Sequence, residues 1–304
     1  MPLNTRIFKS DSLLFATSMI WGFAFVAQRM SMNFIGPFTF NAVRFALGSL
    51  FMLPLLSLER PSSSSGKGRS GSAGPGSKGG LFKACLAGLI LFMGASLQQV
   101  GLVYTTAGRA GFITSLYVVF VPILGLLWGR RVGLGSWIGV SLAALGNYLL
   151  SATGEYTLML GDLLELIGAF FWAGHVLIIG GLSRLMRPAR LAFLQYLACS
   201  ILSLAVAAAK EVLSLQGLCQ AAIPILYGGL LSVGVAYTLQ IIAQRHAPPT
   251  HTAIILSLES VFAAFGGWLI LGEVIPPRGI AGCTLILSGV LSSQLWRILD
   301  RSSP

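Results

Sequence analysis

Charge is what this chain has least of. Asp, Glu, Lys and Arg make up 10% of its 304 residues, where an ordinary globular domain carries roughly 25% because its surface must be wetted. A chain so poor in charge cannot cover a water-facing surface, which excludes a cytosolic enzyme, a secreted scaffold and an autonomous nucleic-acid-binding domain. Cysteine is scarce as well. Cys85, Cys199, Cys219 and Cys283 stand too far apart for a C-x-x-C or zinc pattern, so no metal or redox centre is expected and the four are read as small buried apolar residues. The motifs H-E-x-x-H, G-x-S-x-G and G-x-x-x-x-G-K-[ST] are also missing, and with them a zinc-protease helix, a nucleophile elbow and a nucleotide engine. No cofactor is expected.

What is present is apolar surface. Hydrophobic residues make up 55% of the chain, gathered in runs of about 20, each long enough to cross a hydrocarbon core of about 30 Å as a helix. Read against their polar breaks, the runs predict ten spans, over 12–30, 37–58, 81–104, 108–129, 133–152, 162–182, 189–209, 221–244, 249–271 and 277–296. The first run continues past Trp21 without an A-x-A-like cleavage site, so no removable leader is expected. The net charge of +11 is not a nucleic-acid footprint, because the basic residues are scattered between the runs. With the N-terminus inside, fifteen Lys and Arg fall in inside loops and four (Arg29, Arg109, Lys210 and Arg278) outside, Arg44 lying within a span. The excess of Lys and Arg on one side predicts that both termini are cytoplasmic. Residues 1–11 and 297–304 are then cytoplasmic tails. Residues 59–80 are a flexible cytoplasmic linker, since Pro61–Gly80 holds seven Ser and seven Gly and leaves nothing to bury.

Laying the second half over the first exposes a repeat. Asp11, Trp21 and Pro37 fall on Asp162, Trp172 and Pro188, 151 residues later, and Arg44-Phe45 on Gln195-Tyr196. The offset then drops to 142, which places Gln98 on Gln240 and Ser115-Leu116 on Ser257-Leu258, and it ends at 143, where Gly129 and Gly139 meet Gly272 and Gly282. The halves are 12–152 and 162–296. Five spans in each force the second to enter the membrane from the opposite side, so the fold expected is an all-α integral membrane protein of two inverted five-helix repeats.

These residues carry a resemblance. WGFAF at Trp21–Phe25, PFTFNAVRF at Pro37–Phe45, GFITSLYVVFVPILG at Gly111–Gly125 and ILSLESVFAAFGGWLILGE at Ile255–Glu273 resemble the EamA-type drug/metabolite transporter superfamily from Ser12 to about Trp296. The resemblance implies a ten-helix inverted-repeat permease that moves small organic solutes, commonly outward. Two positions depart from the family pattern: Ser260 stands where Pro often follows the Glu, and Arg130-Arg131 ends the fourth helix where Glu273 ends its counterpart.

The candidate site follows from charge and symmetry. Arg44 and Glu259 lie deepest in apolar runs, and a charge at that depth marks function by default. At 1.5 Å per residue the two differ in depth by roughly 5 Å, so they are expected to face one cavity. There they either hold a polar or zwitterionic solute or lock helices as a buried ion pair. Glu259 is also a candidate for proton exchange. Trp21 and Trp172 sit near the midplane, away from the interfaces where belt tryptophans belong, and either wall the cavity or pack against Gly22 and Ala173. Tyr117 occupies Glu259's place in the other half and offers a hydroxyl and a ring. Asn41 lies three residues before Arg44 on the same helical face and either fixes its guanidinium or touches solute. His175 is a proton-relay candidate or a packed, hydrogen-bonded histidine. His246 and His251, flanking Pro248-Pro249, read as solvated. Gly125/Gly129 and Gly135/Gly139 have the G-x-x-x-G spacing of close helix contacts, which is compatible with a homodimer without indicating one. The function expected is a gradient-driven solute permease of the cell membrane whose partners are a small-molecule substrate and the lipid bilayer. An intramembrane enzyme or a channel is the alternative, and neither has a recognised motif here.

Overall fold

A computed structural model of the chain describes residues 3–58, 78–151, 160–275 and 277–299. All but the last three residues of the expected linker 59–80 lie outside them. Among the described residues the structure is helical throughout, with no strand. The ten longer helices are α1 (Leu3–Ser31), α2 (Pro37–Leu58), α3 (Lys78–Gly101), α4 (Ala107–Leu127), α5 (Leu134–Ser151), α6 (Leu160–Leu182), α7 (Pro188–Lys210), α8 (Ala222–Ala243), α9 (Pro249–Leu271) and α10 (Pro277–Leu299), with a short helix, Leu215–Gln220, between α7 and α8. Nine of them are long and apolar enough to cross a membrane, while α5 is a shorter apolar helix. The ends differ from expectation. Helix α1 starts at Leu3 rather than at 12, so the expected N-terminal tail is helical from its third residue, and α3 takes in the last three residues of the linker.

The packing has the symmetry that the repeat predicts. Repeat mates α2 and α7 lie side by side, as do α5 and α10, and both pairs run antiparallel. Ser200 Oγ on α7 donates to the Ala42 carbonyl on α2 at 2.8 Å, and Glu211, just past the end of α7, reaches the start of α2. Between α5 and α10, a Cβ built on Gly146 would stand 2.6 Å from the Gly282 carbonyl, and one on Gly289 would stand 2.7 Å from that of Gly139. Only glycine allows backbones so close. Helix α1 packs on α9 as α6 packs on α4, and α8 bridges α1 and α2 as α3 bridges α6 and α7. Antiparallel mates and swapped partners mean that the halves are related by a two-fold axis across the helices. Of the singled-out glycines, Gly139 packs against Gly289 and Gly135 lies under Trp296, but Gly129 does not pack: it is a left-handed cap (φ 71°) ending α4, as Gly272 (φ 69°) ends α9.

Two helices are interrupted at matched positions. Helix α4 breaks at Leu116 and α9 at Ser257-Leu258. Ser260 has no proline ring to force a break, yet the chain turns there, with Ser260 Oγ donating to the Ser257 carbonyl at 2.8 Å. The breaks put Tyr117 and Glu259 at the first residue of each second segment.

Carboxylates finish the end of the bundle away from the chain termini. Glu211 accepts from the Phe38 and Thr39 amides at 2.8 and 2.7 Å, and Glu273 accepts from the Ala107 and Gly108 amides at 2.8 and 2.9 Å. Each carboxylate takes orphan donors where the helix dipole is positive. The bundle's outer surface stays apolar: Leu50, Phe170, Ile201 and Leu291 are exposed, the kind of contiguous surface that lipid covers. Cys85 and Cys219 are exposed too, which corrects their reading as buried residues; only Cys199 is buried.

Candidate transport site

Trp21, Arg44, Tyr117, Trp172 and Glu259 line a single cavity in the middle of the bundle, together with His175. The cavity is constricted in this conformation, with room for a few waters. Asn41 lies behind the wall and acts through Arg44.

Arg44 points inward from α2 and is 2% exposed. Its Nε donates to Asn41 Oδ1 at 2.9 Å, and Asn41 Nδ2 in turn donates to the Ala95 carbonyl of α3 at 3.1 Å. The guanidinium carbon lies 5.2 Å from the Phe40 ring centroid and 4.9 Å from that of Phe45. Two aromatic faces and a single amide hold the cation without neutralising it. The expected pairing of Arg44 with Glu259 is not made. Glu259 belongs instead to α4's side of the cavity, where Ser115 and Tyr117 face its carboxyl group. Arg44 thus has its partner on its own helix, Glu259 has its neighbours on α4, and no bond joins the two charges.

An aromatic cluster forms one wall. Trp21 lies 4.5 Å from Tyr237, centroid to centroid, and Trp172 stacks over the same ring at 6.1 Å and 28°. Trp21 Nε1 donates to the Ser232 carbonyl at 3.2 Å. That carbonyl lies within a π-helical stretch of α8, Tyr227–Tyr237, whose glycines Gly228, Gly229 and Gly234 press against α2. Wide helical turns of this kind occur mostly at functional sites. Both tryptophans line the cavity; Trp172 also packs on Gly94, while Gly22 packs on Phe262 rather than on a tryptophan.

Sequence reasoning missed Tyr237 and Glu165. Tyr237 is the ring that Trp21, Phe45, Trp172, His175 and Tyr196 all meet; nothing in its local sequence distinguishes it from any other tyrosine in an apolar run. Glu165 did carry a signal, an acid within the apolar run of the sixth span. It is fully buried and accepts from Thr114 Oγ1 at 2.7 Å, while its Oε1 has no partner. Thr114 lines the cavity, so this second intramembrane acid adjoins the site through one hydroxyl.

The histidines divide differently from expectation. His175 Nε2 lies 2.9 Å from Gln195 Oε1, and Gln195 is the repeat mate of Arg44. His246 is exposed, but His251 is buried, with Nδ1 2.9 Å from Ser293 Oγ and Nε2 2.9 Å from Asp11 Oδ1. Proline does not put His251 in a loop. Helix α9 begins at Pro249, a favoured first helical position, and its first turn is buried against α1 and α10.

Polar atoms without partners converge on the cavity. Tyr117 Oη, Trp172 Nε1, His175 Nδ1, Gln240 Nε2 and Oε1, and Glu259 Oε1 are all buried and unbonded, and all belong to cavity-lining residues. Gln98 differs from its mate Gln240 in being tied to Gln28 Oε1 at 3.2 Å. Buried polar groups are ordinarily paired, and each orphan costs about 1–3 kcal/mol. The wall thus has both donors and acceptors to spare, a cation at one side and a carboxyl group at another. Among the described residues no group of three His, Cys, Asp or Glu comes together as metal ligands would.

Comparison with known proteins gives the same class. The model of the EamA-like transporter family matches the chain twice, over residues 8–152 and 159–293. An uncharacterized transporter of Archaeoglobus fulgidus is 35% identical over 94% of this chain and 86% of its own length. The uncharacterized transporter YoaV of Bacillus subtilis is 22% identical over 91% and 94% respectively. A solved crystal structure with 17% identity superposes with a TM-score of 0.72 over 96% of this chain and 98% of its own; at that identity the likeness speaks for the fold alone.

Proposed function

The chain belongs to the EamA-like transporter family, and from that premise we propose that it is a secondary transporter moving small organic solutes such as amino acids, metabolites or drugs across the cell membrane by alternating access, in the direction of export. The observation that carries the proposal is the set of unpartnered polar atoms around Arg44 and Glu259 in the middle of the bundle. Those atoms lack protein partners, and a solute admitted when the cavity widens would supply them.

In this reading the end that gathers Arg6, Lys9, Arg184, Arg245 and His246 faces the cytoplasm, because basic loops stay inside. A solute entering there places an acidic or acceptor group against Arg44, which Asn41 holds in place. Its donor end meets Glu259 and Tyr117, and an apolar or aromatic body lies on Trp21 and Trp172. A neutral or zwitterionic solute suits one cation and one carboxyl group better than a phosphate ester, which calls for several cations. Inverted repeats supply the motion: two similar halves facing opposite ways exchange conformations and move the cavity's opening from one face to the other. With no nucleotide-binding motif in the chain, the driving force is a gradient. Glu259 is the candidate to carry a proton against the solute, and His175 is a second candidate beside it.

The test is uptake of labelled amino acids and cationic dyes into proteoliposomes, with and without an imposed pH gradient. Saturable, gradient-accelerated movement is expected for the wild type, with Glu259→Gln losing the gradient's effect and Arg44→Ala losing binding. Movement by Glu259→Gln that still responds to the gradient removes that residue from coupling. No movement of any solute in the panel by the wild type overturns the transporter reading.

A further inference from the structure

The repeat offsets that align the two tryptophans and the two glutamines align two further pairs. Asp162 stands 151 residues after Asp11, and His251 stands 142 residues after Arg109. The structure joins each acid to a base from the other half. Arg109 Nε donates to Asp162 Oδ1 at 2.8 Å and Nη2 donates to Oδ2 at 2.5 Å, tying α4 to α6. His251 Nε2 meets Asp11 Oδ1 at 2.9 Å while Nδ1 meets Ser293 Oγ at 2.9 Å, tying α9 to α1 and α10. The four helices α1, α4, α6 and α9 are the ones that bring Trp21, Tyr117, Trp172 and Glu259 to the cavity. One tie therefore crosses the bundle on each side of the site, and the two-fold axis exchanges them.

We propose that these pairs are the locks of the two mouths, Arg109–Asp162 of the outer and Asp11–His251–Ser293 of the inner, and that only the inner one responds to pH. The inference rests on the transporter reading above. An arginine stays charged at every physiological pH and grips a carboxylate with two parallel bonds, so the outer lock is constant. Histidine titrates near neutrality. As an imidazolium, His251 donates through both ring nitrogens, to Asp11 and to Ser293; as a neutral ring it keeps one donor and loses the charge attraction. The inner lock is full at low pH and weakens as pH rises through the histidine's range. The inner mouth is therefore gated by cytoplasmic protons, while the outer mouth is not.

Other charged groups share the inner end. From α1 come Arg6 and Lys9 besides Asp11; from the turn after α6, Arg184; from the turn before α9, Arg245 and His246; and from the turn between α4 and α5, Arg130 and Arg131. From α10 the facing group is Ser293. Of these only His246 is a second histidine, and it is exposed, which makes His246→Asn the control.

The experiment needs no solute, so it fails separately from the transport assay. A chain with Cys85, Cys199, Cys219 and Cys283 replaced by Ala and with the cavity-lining Ser232→Cys is labelled with a membrane-impermeant maleimide from either side of oriented vesicles, each rate normalised to that of the denatured protein. Asp11→Asn is expected to raise labelling from the inner side several-fold and leave the outer side unchanged; Arg109→Gln is expected to do the reverse. With both locks intact, inner labelling rises from about pH 6 to about pH 8 and outer labelling does not. His246→Asn keeps that response and Asp11→Asn abolishes it. Ser293→Ala, which keeps the charge pair and the fold, gives an intermediate inner rate. Labelling that rises equally from both sides in either lock variant, or a pH response that survives Asp11→Asn, overturns the proposal.

Discussion

At the end of the bundle away from the chain termini, Arg109 grips Asp162 through two guanidinium nitrogens, and the starts of α2 and α4 sit on the carboxylates of Glu211 and Glu273. At the terminal end the same places in the repeat hold His251 and Asp11, joined through a single ring nitrogen, and Arg130 stands where Glu273's counterpart would be. A two-fold axis dictates that both ends have a tie at this position; it does not dictate the chemistry of the tie. Duplication supplied the geometry, and divergence of the halves made one end permanently charged and the other titratable. The strength of a mouth is thus adjustable one residue at a time without disturbing the framework that α5 and α10 build from glycine.

The comparison breaks first at its strongest member. Arg109→Ala removes both charge-assisted bonds to Asp162, whose side chain is 4% exposed against 25% for Arg109, at a cost of about 2 kcal/mol, expected as a fall of several degrees in the unfolding temperature of the detergent-solubilised protein. Arg109→Lys keeps the charge but loses the two-pronged grip, so it falls between. A neutral Arg109→Ala would mean that the outer pair braces nothing. The helix caps come next: Glu273→Gln and Glu211→Gln each cost about 1 kcal/mol, and because they serve different helices their effects add in the double variant. A sum well short of additive would show that the two caps act as one unit.

Asp11→Asn is smaller and depends on pH. Its amide still accepts from His251, while the charge attraction of that bond is lost. That attraction exists while the imidazole is protonated and disappears as pH rises through its range, so the cost is largest near about pH 6 and fades by about pH 8. Unfolding measured at both values checks the sign, and a cost that grows with pH contradicts the comparison. Ser293→Ala is smallest, about 0.5–1 kcal/mol for one neutral hydrogen bond, with little change across the same interval.

How far the site was legible follows from what kind of signal each residue leaves. Arg44 and Glu259 stand out because a charge in an apolar run is rare, and Asn41 follows from helical spacing alone. Tyr117 came from subtraction of the halves and lies beside Glu259, since a symmetry axis brings equivalent positions together. Glu165 left the same kind of signal as Glu259 but sits close to the expected start of its span, where an acid reads as a helix end. Tyr237 left none: its role is to be where five other rings converge. His251 was misread through its prolines, which mark a chain direction and say nothing of what covers the next turn. The pairing of Arg44 with Glu259 was inferred from depth along the membrane normal, which is blind to the lateral positions that give each charge its own partners.

The sequence by itself determined the class, the duplication and its inversion, because hydrophobic length, charge placement and a constant offset are one-dimensional quantities that the chain carries openly. It also marked the residues too costly to keep in a membrane without a use. Only the tertiary structure decided which polar atoms are satisfied, where the helices break around Tyr117 and Glu259, and which acid meets which base at each mouth. Those depend on distances of about 3 Å between residues from 53 to 240 places apart, and hydrogen bonding falls off too steeply over such distances for any pattern along the chain to specify it.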